Sequence, residues 1–180
     1  MTHAQAFYCH HSLGTKIQLQ HVSTKHYNGQ YWYTGKTNPS SIDRAGRNDG
    51  DRRGADTMIY FTADDTSRFA GTGYVGVICK GSSSNQRSIN KWQGTAAGLG
   101  ATVAHEIGHN LGMAHDFNGS DGFDLSKYKV HSGQRCYGFM AYGNHPNVWS
   151  PCSVADFKAH FTNYASQWCM PGKTQNLMSS

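Results

Sequence analysis

The sequence predicts a single domain with helices packed on one core, and three observations carry that expectation. Leu99, Val103, Ile107 and Leu111 recur every four residues, the apolar stripe of a helix packed on a core. Val154, Phe157 and Phe161 mark one face of a second helix near the C-terminus, and Ser153 with Asp156 stand before it at capping-box spacing. At 180 residues and 37% hydrophobic, the chain suits one domain with a core of its own.

The first helix carries the chemistry. His105-Glu106-Ile107-Gly108-His109 places two imidazoles four residues apart, one above the other on a helix face roughly opposite the apolar stripe. Glu106 lies beside them. Gly112 can take the positive φ that ends a helix and swings the chain back, which brings His115 toward the same point. Three neutral histidines suit a catalytic zinc ion and leave its fourth tetrahedral position to water, whose pKa zinc lowers to roughly 7. Glu106, staying off the metal, is the natural general base.

His105-Glu106-x-x-His109-x-x-Gly112-x-x-His115, followed downstream by Gly138-Phe139-Met140-Ala141-Tyr142-Gly143, resembles the metzincin signature of a zinc helix and a methionine turn. Asp116, directly after the third histidine, resembles the adamalysin or reprolysin branch. That branch includes snake-venom metalloproteases and the disintegrin-type and thrombospondin-repeat-type proteases. The resemblance implies an α/β (α+β) metzincin-like zincin fold, in which a twisted mixed sheet stands above a cleft and the active-site helix below it, ahead of the Met-turn and a C-terminal helix. It also implies a secreted endopeptidase that hydrolyses internal peptide bonds of protein substrates.

Taken along the chain, the resemblance runs from about Cys9 to Cys169. His11 to Leu19 is similar to the family's second strand and its entry, and Ala55 to Thr62 to its third. Gly73-Tyr74-Val75-Gly76-Val77-Ile78-Cys79 is similar to the edge strand, to which an extended substrate adds as a further strand. The match weakens between Gly29 and Gly54, a polar, glycine-rich stretch in which no helix is placed. Residues 1–8 and 173–180 are expected to be flexible tails of a single domain spanning 1–180, which begins too late to include the family's N-terminal strand and helix. Met140 is expected to form the hydrophobic floor beneath the metal. Met-Ala-Tyr is more similar to the turn of astacins and serralysins, which gives Tyr142 either a contact with the transition state or a place in the pocket wall. Asn144 to Trp149 corresponds to the wall of the family's S1′ pocket.

Five cysteines point to an oxidising compartment and leave one unpaired within the chain. Four cysteines allow three connectivities. The resemblance selects Cys79–Cys169, tying the edge strand to the last helix, and Cys136–Cys152, bracketing the Met-turn. Cys9 is then a free thiol or one whose partner lies outside this sequence, in preference to a second metal site with His10 and His11 or a propeptide thiol. The resemblance leaves calcium open: Asp64 or Asp65 stands near the family's calcium carboxylate, while Gly172 stands where an asparagine is usual.

Other signals are weaker. A net charge of +5 and the loose stretch Arg44, Arg47, Arg52 and Arg53 suit either acidic extracellular matrix polymers or a solvated loop. No zinc-finger spacing, helix-turn-helix pattern or aromatic-plus-basic array points to nucleic acid. The glycines from Gly94 to Gly100 are not a phosphate loop, and no apolar run reaches membrane-spanning length. Asn118-Gly119-Ser120 is an N-glycosylation acceptor pattern. His3, His21, His26, His131, His145 and His160 lack ligand spacing and are expected to be surface or packed residues. A monomeric zinc endopeptidase is the leading expectation, and a zinc-binding but inactive protein-binding module is the runner-up.

Overall fold

A computed structural model describes residues 2–24, 55–62, 69–78, 86–119 and 122–164. Its elements in chain order are helix α1 (Thr2–Tyr8), strands β1 (Met58–Thr62), β2 (Gly71–Gly73) and β3 (Arg87–Lys91), helix α2 (Ala96–Asn110), strands β4 (Val130–His131) and β5 (Gln134–Arg135), and helix α3 (Pro151–Asn163). Short 3-10 turns occupy His11–Leu13 and Leu125–Lys127. The fold is α/β with a small mixed sheet, as the sequence predicts. In strand order β1-β3-β2, β1 runs parallel to β3 with Met58 opposite Arg87, and β2 runs antiparallel to it with Gly71 opposite Asn90. Arg87, Ser88, Ile89 and Asn90 of the central strand are all buried, as in a strand covered on both faces.

Helix α2 forms where the apolar stripe places it. Thr95 caps its start, accepting a hydrogen bond from the Gly98 N–H at 3.0 Å. Val103, Ile107 and Leu111 are buried in the main core with Leu13, Met113, Met140 and Phe157, and Leu99 packs at its margin. The helix ends as expected: Gly112 has φ +97°, its N–H donates to His109 O at 2.9 Å, and Met113 N–H donates to Gly108 O at 3.0 Å. These paired bonds are a Schellman motif, and they turn the chain sharply back toward the helix face that carries the histidines.

Several expectations are corrected. Residues 2–8 are not a tail. They form α1, whose Ala4 and Tyr8 are buried against α2, with Tyr8 Oη donating to Ala104 O at 2.6 Å. A helix therefore does precede the Lys16–Leu19 segment. That segment, expected as a strand, has no ladder partner among the described residues. The Gln5 side chain occupies its backbone instead, donating to Ile17 O at 2.7 Å and accepting from Leu19 N–H at 2.6 Å. Of the expected Gly73–Val77 run, only Gly73 is in strand conformation, at the end of β2 on one side of the described sheet. Beyond it the chain turns onto the end of α2, where Gly76 N–H donates to His109 O and Val77 N–H to Asn110 O.

The C-terminal helix starts three residues earlier than its candidate capping box. Pro151, whose ring fixes φ and lacks an N–H, occupies the first helical position, which makes Ser150 the N-cap. Ser153 N–H donates to Ser150 Oγ at 3.1 Å, and Asp156 instead accepts from Ala114 N–H at 3.0 Å. Phe157 and Phe161 are buried as expected. Cys136 and Cys152 form a disulfide, and Cys9 is a free, exposed thiol. The expected Cys79–Cys169 pair, Asp64, Asp65 and Gly172, the basic stretch at Arg44 to Arg53 and the 173–180 tail lie outside the described residues.

Candidate active site

His105 and His109 project from one face of α2, and His115 returns to them after the Gly112 reversal. The three side chains can each offer a nitrogen, and these atoms all lie within 4.8 Å of one another. His109 Nε2 and His115 Nε2 stand 3.2 Å apart. Two nitrogens bound to one tetrahedral zinc at about 2.0–2.1 Å would stand about 3.3 Å apart, so the spacing suits that ion.

The opposite ring nitrogens fix the orientation. His105 Nδ1 donates to Phe139 O at 2.8 Å, and His109 Nδ1 donates to Met113 O at 2.8 Å. A carbonyl can only accept, so each Nδ1 carries the proton and each Nε2 keeps its lone pair for a metal. His115 is held by its ring faces, stacked on Phe117 at 4.8 Å and 9° and edge-on to Tyr142 at 4.9 Å. Burial is the leading cause that lowers all three imidazoles: His105 to about 3, His109 to about 4 and His115 to about 4, helped in each case by a neighbouring histidine. They are neutral near pH 7, the form that ligates metals.

Glu106 is 5% exposed, and burial pushes its carboxyl up to about 8. Its Oε2 has no hydrogen-bond partner among the described residues. A carboxyl in that condition is poised to hold or release a proton near neutral pH. Tyr142 and Tyr8 are both raised by burial first and by the Glu106 charge second, which places both rings within its field.

The Gly138–Gly143 turn lies against α2. Ala141 N–H donates to Gly138 O at 2.9 Å, closing the turn, while Phe139 supplies the carbonyl that holds His105. Met140 is fully buried, and its Sδ comes so near Gly108 that a Cβ there would stand 2.9 Å away. Asp116 fastens the third histidine to this turn: its N–H donates to Met140 O at 3.1 Å. Its Oδ1 accepts hydrogen bonds from the hydroxyls of Ser150 and Ser153. Tyr142 sits in an aromatic wall with Phe117 at 4.8 Å, Phe123 at 6.0 Å and His115.

The structure thus gathers His105, Glu106, His109, His115, Met140 and Tyr142 at one place. Tyr74, Val75, Gly76 and Val77 reach the end of α2 as a turn and not as a strand. Trp149, expected in a pocket wall, is core: it is 2% exposed, and its indole N–H donates to Phe7 O at 2.7 Å. His160 packs in the core against Gly112, with its Nε2 at 3.2 Å from Ile78 O.

Sequence reasoning passed over Asn110, which is fully buried. Its Nδ2 donates to Tyr74 O at 2.9 Å, and its Oδ1 accepts from Thr57 Oγ1 at 2.9 Å. An amide on the buried side of a zinc helix was the available signal, since buried amides are held by partners.

Comparison with known proteins converges on the same reading. A profile described as metallopeptidase family M12B, reprolysin-like, matches residues 1–116, ending one residue past His115. A "zinc metalloproteinase-disintegrin-like" protein of Cerberus rynchops is 42% identical over 59 residues, which is 33% of this chain and 9% of that relative. The matched profile ends before the Gly138–Gly143 turn, so the placement of that turn beneath the histidines is a separate, geometric sign of the same architecture. With most of its length matched and three convergent histidines on the motif's helix and return loop, the chain belongs to the reprolysin-like M12B family of metallopeptidases.

Proposed function

We propose that the chain is the catalytic part of a secreted zinc endopeptidase that hydrolyses internal peptide bonds of protein substrates. The single observation that carries this reading is the convergence of three histidines, two of them oriented through Nδ1, beside a buried glutamate. Membership of a zinc-dependent family supports zinc as the metal, and His105, His109 and His115 would hold it. Zinc, when bound there, supplies Lewis acidity toward water and the scissile carbonyl.

Glu106 does the proton work. It accepts a proton from the attacking water as the new carbon–oxygen bond forms, and delivers that proton to the amide nitrogen as the carbon–nitrogen bond breaks. Strand β2 borders the described sheet on one side, and in this reading an extended substrate aligns along it. Met140 packs beneath α2, and the neighbouring Phe139 carbonyl fixes the His105 ring. The net charge of +5 suits an acidic extracellular matrix as a setting, and the disulfide at Cys136–Cys152 suits an oxidising compartment.

The test is hydrolysis of a quenched mixed-peptide library by the purified chain, with zinc quantified and a chelator control. Cleavage that depends on zinc, at one zinc per chain, is expected. Glu106→Ala should keep zinc and lose turnover by at least about a thousandfold. Zinc bound without cleavage by the wild-type chain would instead assign a non-catalytic protein-binding module.

A further inference from the structure

Residues 71 and 73 lie on the same face of β2, because side chains alternate along a strand. Both are glycine, and neither takes a positive φ, so no backbone conformation requires them. Glycine within a strand weakens it and commonly marks a close approach of something else. Here that approach is Glu106. A Cβ on Gly71 would stand 2.7 Å from Glu106 Oε1 and 2.8 Å from its Cγ, and a Cβ on Gly73 would stand 3.1 Å from Oε2. Asn110 Nδ2, bound to Tyr74 O at 2.9 Å, fastens the end of the strand in that position over α2.

Oε2 has no hydrogen-bond partner among the described residues, and the bare strand face lies against both carboxylate oxygens. We propose that Gly71 and Gly73 are positioning residues for Glu106: the side-chain-free face of β2 is the surface against which the general-base carboxylate is set. The strand offered to substrate on its edge therefore also fixes the proton acceptor with its face. Substrate register and base position become one geometric unit. This inference rests on the reading of Glu106 as the general base.

Its test is a double-mutant cycle of Gly71→Ala and Glu106→Asp in the full chain, read by kcat and KM on a peptide that the wild type cleaves. The added methyl meets Oε1 and Cγ of Glu106 at 2.7 and 2.8 Å and Thr102 Cγ2 at 2.9 Å, all side-chain and none backbone atoms, so the fold and zinc content should survive. Gly71→Ala should lower kcat about tenfold or more with KM nearly unchanged, because the displaced group acts in the reaction and not in substrate binding. Aspartate is one methylene shorter and withdraws the carboxylate from the place of Oε1, the atom nearest the added methyl at 2.7 Å. The double variant should then exceed the product of the two single effects by about tenfold.

Purely multiplicative effects, in a chain whose wild type is active, would overturn this inference and leave the protease reading standing. Loss of zinc or of the folded state in both Gly71→Ala and Gly73→Ala would also overturn it, since the glycines would then serve the fold. A wild-type chain that binds zinc and cleaves nothing would overturn the protease reading, and this inference with it.

Discussion

At Asp116 the third histidine, the methionine turn and the last helix meet. Its N–H holds Met140 O, its O accepts from Lys129 N–H at 2.8 Å, and its carboxylate accepts from both Ser150, the N-cap of α3, and Ser153. Burial raises this carboxyl and the two hydroxyls lower it, so the hydroxyl bonds offset the cost of enclosing it. Removing it should matter at the metal as well as in the fold. Asp116→Ala removes the carboxylate acceptor of two buried hydroxyls, which among the described residues then have only each other to donate to, at 3.1 Å, and a loss of about 1–3 kcal/mol in denaturant unfolding is expected, with weaker zinc retention in chelator competition. Tyr142 gives the contrasting case. Its ring packs edge-on to His115 and beside Phe117, and phenylalanine keeps both contacts. Turnover of Tyr142→Phe should therefore stay within about threefold of wild type, whereas a loss of tenfold or more would assign its hydroxyl to the transition state.

Among the elements, α2 and its reversal are the most legible from sequence, because period and punctuation agree there. The apolar spacing sets the buried face, and Gly112 supplies a φ of +97° where L-residues are strained. The same glycine abuts His160 of α3, whose Cβ would lie 2.6 Å from an added methyl. Gly112→Ala thus meets two penalties, and a loss of about 2–4 kcal/mol with a matching loss of zinc affinity is expected from thermal unfolding with and without metal. The elements that sequence misplaced were decided by long-range partners. Lys16–Leu19 has the composition of a strand, but Gln5 takes its backbone groups. Tyr74 to Val77 also reads as strand, but the carbonyls of His109 and Asn110 at the end of α2 take the Gly76 and Val77 N–H groups. The start of α3 depended on which of two serines, both placed before an apolar face, became the cap. Proline at 151 decided it, and that signal was present in the sequence.

Across the whole molecule, the site joins segments that are far apart along the chain, and the cross-links lie around it. The Cys136–Cys152 disulfide closes a loop with a sequence separation of 16 that contains the entire methionine turn. Its removal as Cys136→Ala with Cys152→Ala should cost about 3 kcal/mol by loop-closure entropy, seen as a lowered denaturant midpoint at constant slope. Zinc is expected to act on a second, overlapping set of segments. It would tie α2 to the loop beyond Gly112, and through Phe139 O on His105 it would tie both to the turn that the disulfide encloses. Binding only the folded chain, zinc at a hundredfold excess over its Kd contributes about 2.7 kcal/mol. For a chain of this size that is about 5–10 °C in Tm, lost on chelation and regained on adding zinc. The shift should be the same in Glu106→Ala, because that residue does not hold the ion in this reading. A Tm indifferent to zinc in both proteins would mean that the three histidines do not form a metal site, whatever their spacing.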